Sequence, residues 1–236
     1  MSNTRFSSDN PWRNIMKIPT YLAMICVIVL AFTYSVSAPA RTLNVVDQFG
    51  ADPTGQKPAS TQILKAFNAA HSGDEVLFPP GLYRIDAPIA LTHDGVSIVG
   101  SVGSILKFDN SEDYLKHYNR RVGILDICAN DVKVSGLFID ENFRASGRQF
   151  GTPNGIPLIG DINIGCNYST GKVYHLSNIT ISNNTIWDYY GDAVNAPHPV
   201  LVRNFIVSDN QIYSHYFVMG LTKPNHKPQI HGYQAI

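Results

Sequence analysis

Apolar positions in this chain repeat with two different periods. Between Ser60 and Gly73, Ile63, Leu64, Phe67 and Ala70 recur at helical spacing and share one face. Ser60 or Thr61 is placed to N-cap this helix, and Gly73 to end it. So short a helix is marginal alone, so it needs an apolar surface to cover. From Glu75 onward the period changes to that of half-buried strands. Val76–Phe78, Tyr83 and Ile85, Val96 and Ile98, and Ile105–Phe108 form short runs between Pro, Gly, Asn and Asp turn residues. No second helix of useful length is predicted downstream.

The strand runs are copies of one another. Ile179-Thr-Ile181-Ser-Asn183-Asn-Thr-Ile186-Trp187 aligns without a gap on Phe205-Ile-Val207-Ser-Asp209-Asn-Gln-Ile212-Tyr213, 26 residues later. Val132-Lys-Val134-Ser-Gly136-Leu-Phe-Ile139 fits the same frame 47 residues before Ile179 and reads as two shorter turns of the repeat. Val96-Ser-Ile98 fits 36 residues earlier again. A repeat in the twenties, each copy a strand, a polar corner and a second strand, suits the coils of a parallel β-solenoid. The predicted fold is therefore all-β, with stacked coils burying one apolar column. The helix becomes the lid that keeps the first coil from exposing a sticky edge. Asn side chains at equivalent corners can stack as amide ladders; Asn183, whose repeat partner is Asp209, is the candidate for that role.

The first 40 residues differ in kind. Arg5, Arg13 and Lys17 precede an apolar run, Tyr21–Phe32, and then small residues, Ser35–Ala40. That is the anatomy of a secretory signal, with cleavage sites after Ala38 or Ala40. The rival reading is an uncleaved anchor, because Ile18–Val36 carries no charge and reaches the lower edge of a membrane span. Both place the rest of the chain outside the cytoplasm. The expected organisation is a signal peptide or N-terminal membrane anchor over 1–40 and a β-helix domain over 41–236. The location is secreted, periplasmic or cell-surface.

Three strings then carry a resemblance. Asp47-Gln-Phe-Gly-Ala-Asp52-Pro-Thr-Gly55, Thr61-Gln-Ile-Leu-Lys-Ala66 and Val76-Leu-Phe-Pro-Pro-Gly81-Leu-Tyr83 occur in that order. Together they resemble the N-terminal signature of the pectate-lyase superfamily, in its rhamnogalacturonase/epimerase-like branch. The resemblance implies a right-handed parallel β-helix with an N-terminal capping helix. It covers about residues 43–108 in clear motif. It also implies polysaccharide hydrolysis, elimination or epimerisation, although the family includes members without demonstrated catalysis. The usual Gly-Asp-Gly loop is replaced here by Asp52-Pro-Thr-Gly55, and the hydrolase motifs Asn-Thr-Asp, Asp-Asp and Gly-His-Gly do not occur. With few coils beyond the repeats above, the domain reads as C-terminally incomplete relative to the family.

Composition narrows the chemistry. Lys+Arg and Asp+Glu are 18 each, so the net charge is zero, which excludes a binder that tracks nucleic-acid phosphates. Three cysteines exclude a disulfide-stapled miniprotein and a four-cysteine zinc module. Cys128 and Cys166 either pair in an oxidising compartment or stay as buried thiols. The histidines show no metal-ligand spacing, and no metal or other cofactor is expected unless elimination recruits Ca²⁺. Glycosidic cleavage needs two carboxyl groups about 5–10 Å apart, and neighbouring coils lie about 4.8 Å apart. Asp140, Glu141, Asp188, Asp192 and Asp209 lie near strand ends. Asp188 and Asp192 are the candidate catalytic pair, flanking Tyr189 and Tyr190 as sugar platforms. Arg148 and Lys172, in and beside the Gly-rich stretch 146–171, are the candidate contacts to an acidic substrate. The competing reading makes these carboxylates caps of solvated turns. Asn167, Asn178 and Asn183 head glycosylation sequons. The expected function is an exported enzyme cleaving an acidic polysaccharide: pectin-like, uronate-rich or capsular. The alternative is a non-catalytic glycan-binding or surface-attachment β-helix, or an inactive fragment of such an enzyme.

Overall fold

The predicted strands form three parallel sheets. The computed structural model describes residues 39–109, 124–142, 160–165, 174–189, 192–196 and 200–214. All but Pro39 lie in one compact unit, residues 40–236. Sheet A contains β1 (Thr42–Asn44), β3 (Glu75–Phe78), β6 (Ser97–Gly100), β9 (Val132–Ser135), β12 (Tyr174–Ser182) and β15 (Val200–Ser208). Sheet B contains β2 (Thr54–Pro58), β4 (Gly81–Ile85), β7 (Ser104–Phe108), β10 (Phe138–Asp140), β13 (Thr185–Tyr189) and β16 (Gln211–Ser214). Sheet C contains β5 (Ile89–Leu91), β8 (Leu125–Ile127), β11 (Gly160–Ile164) and β14 (Asp192–Asn195). The chain visits A, B and C in turn and returns to A. Each strand therefore pairs with its counterpart one circuit away.

The sequence repeat is the pairing register. Ile179 stands opposite Phe205, Ile181 opposite Val207 and Ile186 opposite Ile212. Ile98 stands opposite Val134, as the 36-residue offset requires. The 47-residue offset is corrected. Val132 pairs directly with Ile179, and Ile139 with Ile186, so it is one circuit and not two. The extra residues fall in the long connections on either side of β11. Side-chain alternation sends one set of residues inward: Val76, Ile98, Val134 and Ile181 from sheet A, Tyr83, Leu106, Ile139 and Ile186 from sheet B, Ile89, Leu125 and Ile162 from sheet C, all buried.

A single helix occurs among the described residues, α1 (Ser60–Ala69). It follows β2 and precedes β3, where later circuits have a strand of sheet C, and it packs against β5. Ile63, Ala66 and Phe67 face the core, and Leu64 is half-buried. Phe67 meets Phe78 edge-on at 6.5 Å, and Phe78 meets Tyr83 at 5.6 Å. The Tyr83 hydroxyl donates to the Pro79 carbonyl (2.8 Å), and burial pushes its pKa up to about 12. Neither expected N-cap acts as one. Ala59 takes that position, and the buried Ser60 hydroxyl instead accepts from the backbone N–H groups of Asp86 and Ala87 (3.0 and 3.1 Å). The helix ends at Ala69, short of Gly73, because Ala70 is already extended.

The corner between sheets A and B corrects the ladder assignment. Asn183 and Asp209 are exposed and left-handed, with φ of 56° and 55°. The amide that turns inward belongs to the next residue. Asn184 is buried; its Oδ1 accepts from the Leu137 N–H (3.1 Å), and its Nδ2 donates to the Val134 carbonyl (3.1 Å). Asn210 repeats the role one circuit on, accepting from the Asn184 N–H (2.9 Å). At the same corner Gly136 needs to be glycine: its φ is 74°, and a Cβ would lie 2.2 Å from the Gly100 carbonyl oxygen. In a second ladder the Asn204 amide donates to Asn178 Oδ1 (2.8 Å) and the Asn178 amide to the Asp131 carboxylate (2.7 Å), which occupies the Asn178 sequon side chain.

An ion pair ties the start of the domain to the end of α1. The buried Asp74 carboxylate accepts from the Arg41 guanidinium and from the backbone N–H groups of Arg41 (3.0 Å) and His71 (2.8 Å). The Arg41 side chain holds the Asp74 carboxyl far below the usual carboxylate range.

Two outcomes follow for stability. Asn184→Ala leaves buried backbone groups unpaired and costs about 1–3 kcal/mol, whereas Asn183→Gly stays within about 0.5 kcal/mol of wild type; urea unfolding of the two variants separates them. The depressed Asp74 carboxyl contributes stability above about pH 4, where the unfolded group is ionised, and that contribution is lost as the pH falls. Asp74→Asn is thus less stable than wild type at neutral pH and loses less on acidification, as thermal melts at neutral and acid pH will read.

Candidate functional site

Sheet C differs from the other two in what its outward face carries. Ile89 and Leu91 of β5, Leu125 and Ile127 of β8, and Ile162 and Ile164 of β11 point into the core. Alternation places Ala90, Asp126, Asp161, Asn163 and Asn195 on the opposite face. The register sets Ala90, Asp126, Asn163 and Asn195 in one row across four circuits. Asp161 lies two residues before Asn163 on the same strand. An outward residue normally meets solvent, yet Asp126 is 7%, Asp161 1% and Asn163 0% exposed. Buried carboxyl groups away from the core are costly unless hydrogen-bonded or used.

The Asn163 amide donates to Asp126 Oδ1 at 3.1 Å, which holds that carboxylate in place. The Asn163 Oδ1 is buried and accepts no hydrogen bond, so an acceptor is open beside two acids. Strand geometry puts the backbones of Asp126 and Asp161 about 8 Å apart, one strand over and two residues along. By register Asp161 stands between Ile124 and Ala193, apolar neighbours on both sides. The two acids therefore share one face of adjacent strands, with Asp126 held by the Asn163 amide. Glu141, at the corner between sheets B and C, is also buried, and its N–H donates to the Trp187 carbonyl (3.2 Å).

Of the residues singled out in the sequence, Asp188, Tyr189 and Asp192 fall near the same corner. Asp188 and Tyr189 end β13, where the pairing with β16 shifts register between Trp187 and Tyr189. Bulges of this kind gather next to active sites. Asp192 opens β14 opposite Gly160, one residue from the position facing Asp161. Tyr190, Arg148 and Lys172 lie outside the described residues, as does Cys166. Cys128 is disulfide-bonded. No group of three or more His, Cys, Asp or Glu able to hold a metal occurs among the described residues. Asp126 and Asp161 stand outside the Ser-Asn corner repeat that marks the coils in the sequence. Their own signal was the alternation Leu125-Asp-Ile127 and Asp161-Ile-Asn-Ile164, which puts acids opposite a buried face.

No protein-family model matches the chain, and no curated protein is significantly similar to it. Among solved structures it is similar to an iota-carrageenase complexed to iota-carrageenan fragments, at 17% identity and a TM-score of 0.52. That match covers 76% of this chain and 40% of that one. A second similar structure is a 1,3-α-1,4-β-D-galactose-4-sulfate-3,6-anhydro-D-galactose-2-sulfate 4-galactohydrolase. It too has 17% identity and a TM-score of 0.52, over 77% of this chain and 41% of that one. The chain thus spans about two fifths of the length of these two structures. Both matches are β-helix proteins, and at this identity they show a shared fold. Among the described residues no helix is long and apolar enough to cross a membrane.

Removing the amide that holds Asp126 tests the geometry of the face: Asn163→Ala lowers stability by about 1–3 kcal/mol, measured as a drop in melting temperature.

Proposed function

We propose that this chain is a right-handed parallel β-helix of the pectate-lyase type, with α1 capping its first coil. It is exported and hydrolyses glycosidic bonds in an anionic polysaccharide on the outer face of sheet C. One observation carries the reading: Asp126 and Asp161 are buried on the outward-turned face of sheet C, on adjacent strands. Inverting hydrolysis uses two carboxyl groups about 6.5–9.5 Å apart, a separation open to side chains on one face of strands whose backbones lie about 8 Å apart. Asp161, on the neighbouring strand, is assigned the proton given to the leaving-group oxygen. Asp126, held by Asn163, is assigned the water: it removes one proton as the water oxygen bonds to the anomeric carbon. The bond from that carbon to the leaving oxygen breaks on the other side.

The shared fold with a protein seen holding iota-carrageenan fragments supports a sulfated polysaccharide as substrate. Asp188, Tyr189 and Asp192 border the same corner, and Tyr190, Arg148 and Lys172 are proposed to supply further contacts to the sugar and its anionic groups. The disulfide at Cys128 accords with an oxidising compartment, as does the signal-like N-terminus.

The test is turnover of iota-carrageenan, polygalacturonate and a capsular uronate polymer, read as reducing-end release and as absorbance of unsaturated products. Asp126→Asn and Asp161→Asn should each lower kcat at least about 100-fold with KM little changed. Wild-type rates in both variants would remove these residues from the chemistry. Unsaturated products would replace hydrolysis by elimination, and saturable binding without turnover would favour the non-catalytic module.

A further inference from the structure

The outward face of sheet B carries a row that the proposed reaction does not use. Arg84, Lys107, Asp140, Trp187 and Tyr213 stand opposite one another on β4, β7, β10, β13 and β16. Their inward neighbours, Tyr83, Leu106, Ile139 and Ile186, are fully buried, so alternation turns this row outward. At one end of it two aromatic rings lie side by side: Trp187 and Tyr213 have centroids 5.2 Å apart and planes inclined at 54°. Tyr213 is 41% exposed, and Trp187 is half-buried. Polar groups flank the rings. Thr185 and Gln211 form the neighbouring row, in register with each other, and the Tyr213 hydroxyl donates to Gln211 Oε1 at 3.2 Å. Asp140 lies one circuit before Trp187, and its carboxylate is 3.6 Å from the Lys107 ammonium.

We propose that the Trp187–Tyr213 pair on sheet B is a second glycan-binding surface, distinct from the cleavage site on sheet C. Two rings one circuit apart offer apolar faces to successive sugar units of one chain running along the stack. The Asp140 carboxylate and the Gln211 amide meet hydroxyls at the ring edges. Lys107, on the far side of Asp140, offers a cation to an anionic substituent of the next unit. Large aromatic rings with a polar rim suit a ligand that is apolar on its face and polar at its edge. The occupant is a chain of the polysaccharide proposed above as substrate, so the inference rests on that reading for its choice of ligand. Held there, a polymer would stay near sheet C between cleavage events, raising its effective concentration at the catalytic face.

The sequence provides the probe. It has two tryptophans, Trp12 and Trp187, so a Trp12→Phe full-length chain reports on Trp187 alone. Titration with iota-carrageenan oligosaccharides, and with neutral agaro-oligosaccharides in parallel, should change its emission saturably. The affinity should fall at least tenfold in Tyr213→Ala and recover in Tyr213→Phe. It should persist in Asp126→Asn with Asp161→Asn, which removes cleavage and leaves this face intact. A saturable signal without turnover overturns the catalytic reading and keeps this one. Turnover with no emission change on either probe, or with equal affinity in Tyr213→Ala, overturns this inference. A stronger response to the sulfated than to the neutral probe assigns Lys107 its anion, and Lys107→Ala should then erase the difference.

Discussion

Parallel, in-register stacking of one circuit on the next is the constraint from which the rest of this structure follows. Each inward side chain lies directly over its counterpart, so a buried position must be apolar in every circuit. Val76, Ile98, Val134 and Ile181 form one such column, and Tyr83, Leu106, Ile139 and Ile186 another. The backbone hydrogen bonds run between circuits and impose no limit on how far a connection bulges outward. That is why steps of 26, 36 and 47 residues coexist in one register. A loop can lengthen at low entropic cost, while a single-residue slip in a strand would turn the apolar column outward.

The corners show how that constraint is met locally. A chain that turns between two sheets must leave the extended conformation for one residue, and Gly136, Asn183 and Asp209 do so at the same place in three circuits. Asn and Asp tolerate the left-handed region better than other side chains do. The residue that follows points back under the turn, where backbone groups have lost their strand partners. Asn184 accepts from the Leu137 N–H and donates to the Val134 and Ser182 carbonyls, and Asn210 accepts from the Asn184 N–H and donates to the Ile181 carbonyl. Where the neighbouring circuit comes too close for any side chain, glycine takes over, as Gly136 against Gly100 shows. The same economy appears at the start of the domain, where Asp74 gathers Arg41 and the end of α1 around one buried carboxylate.

Alternation also explains how function is placed on such a fold. The inward half of every strand is committed to the core, and the outward half is free to differ between sheets. Sheet C uses it for buried acids and an amide, and sheet B for charges and a pair of rings. Because the register is common, residues far apart in sequence become neighbours: Asp126 and Asn163 are 37 residues apart and share a hydrogen bond. The proposed catalytic face and the proposed binding face are thus two readings of one repeat, on different sides of one column.

The sequence alone determined the period, and with it the helix near residue 60, the strand content and the register of Val132, Ile179 and Phe205. These are legible because burial demands apolar residues at fixed spacing, and that demand is written locally. It also drew attention to the corner at Asp188–Asp192. It did not reveal that 47 residues make one circuit, that Asn184 rather than Asn183 turns inward, or that Ser60 serves the β4 turn instead of its own helix. Nor did it show that Asp126 and Asp161 are the acids buried together. Each of those depends on which strand lies beside which and on the face a residue turns to its neighbour. Only the closed stack, by bringing distant residues to adjacent strands, decides that.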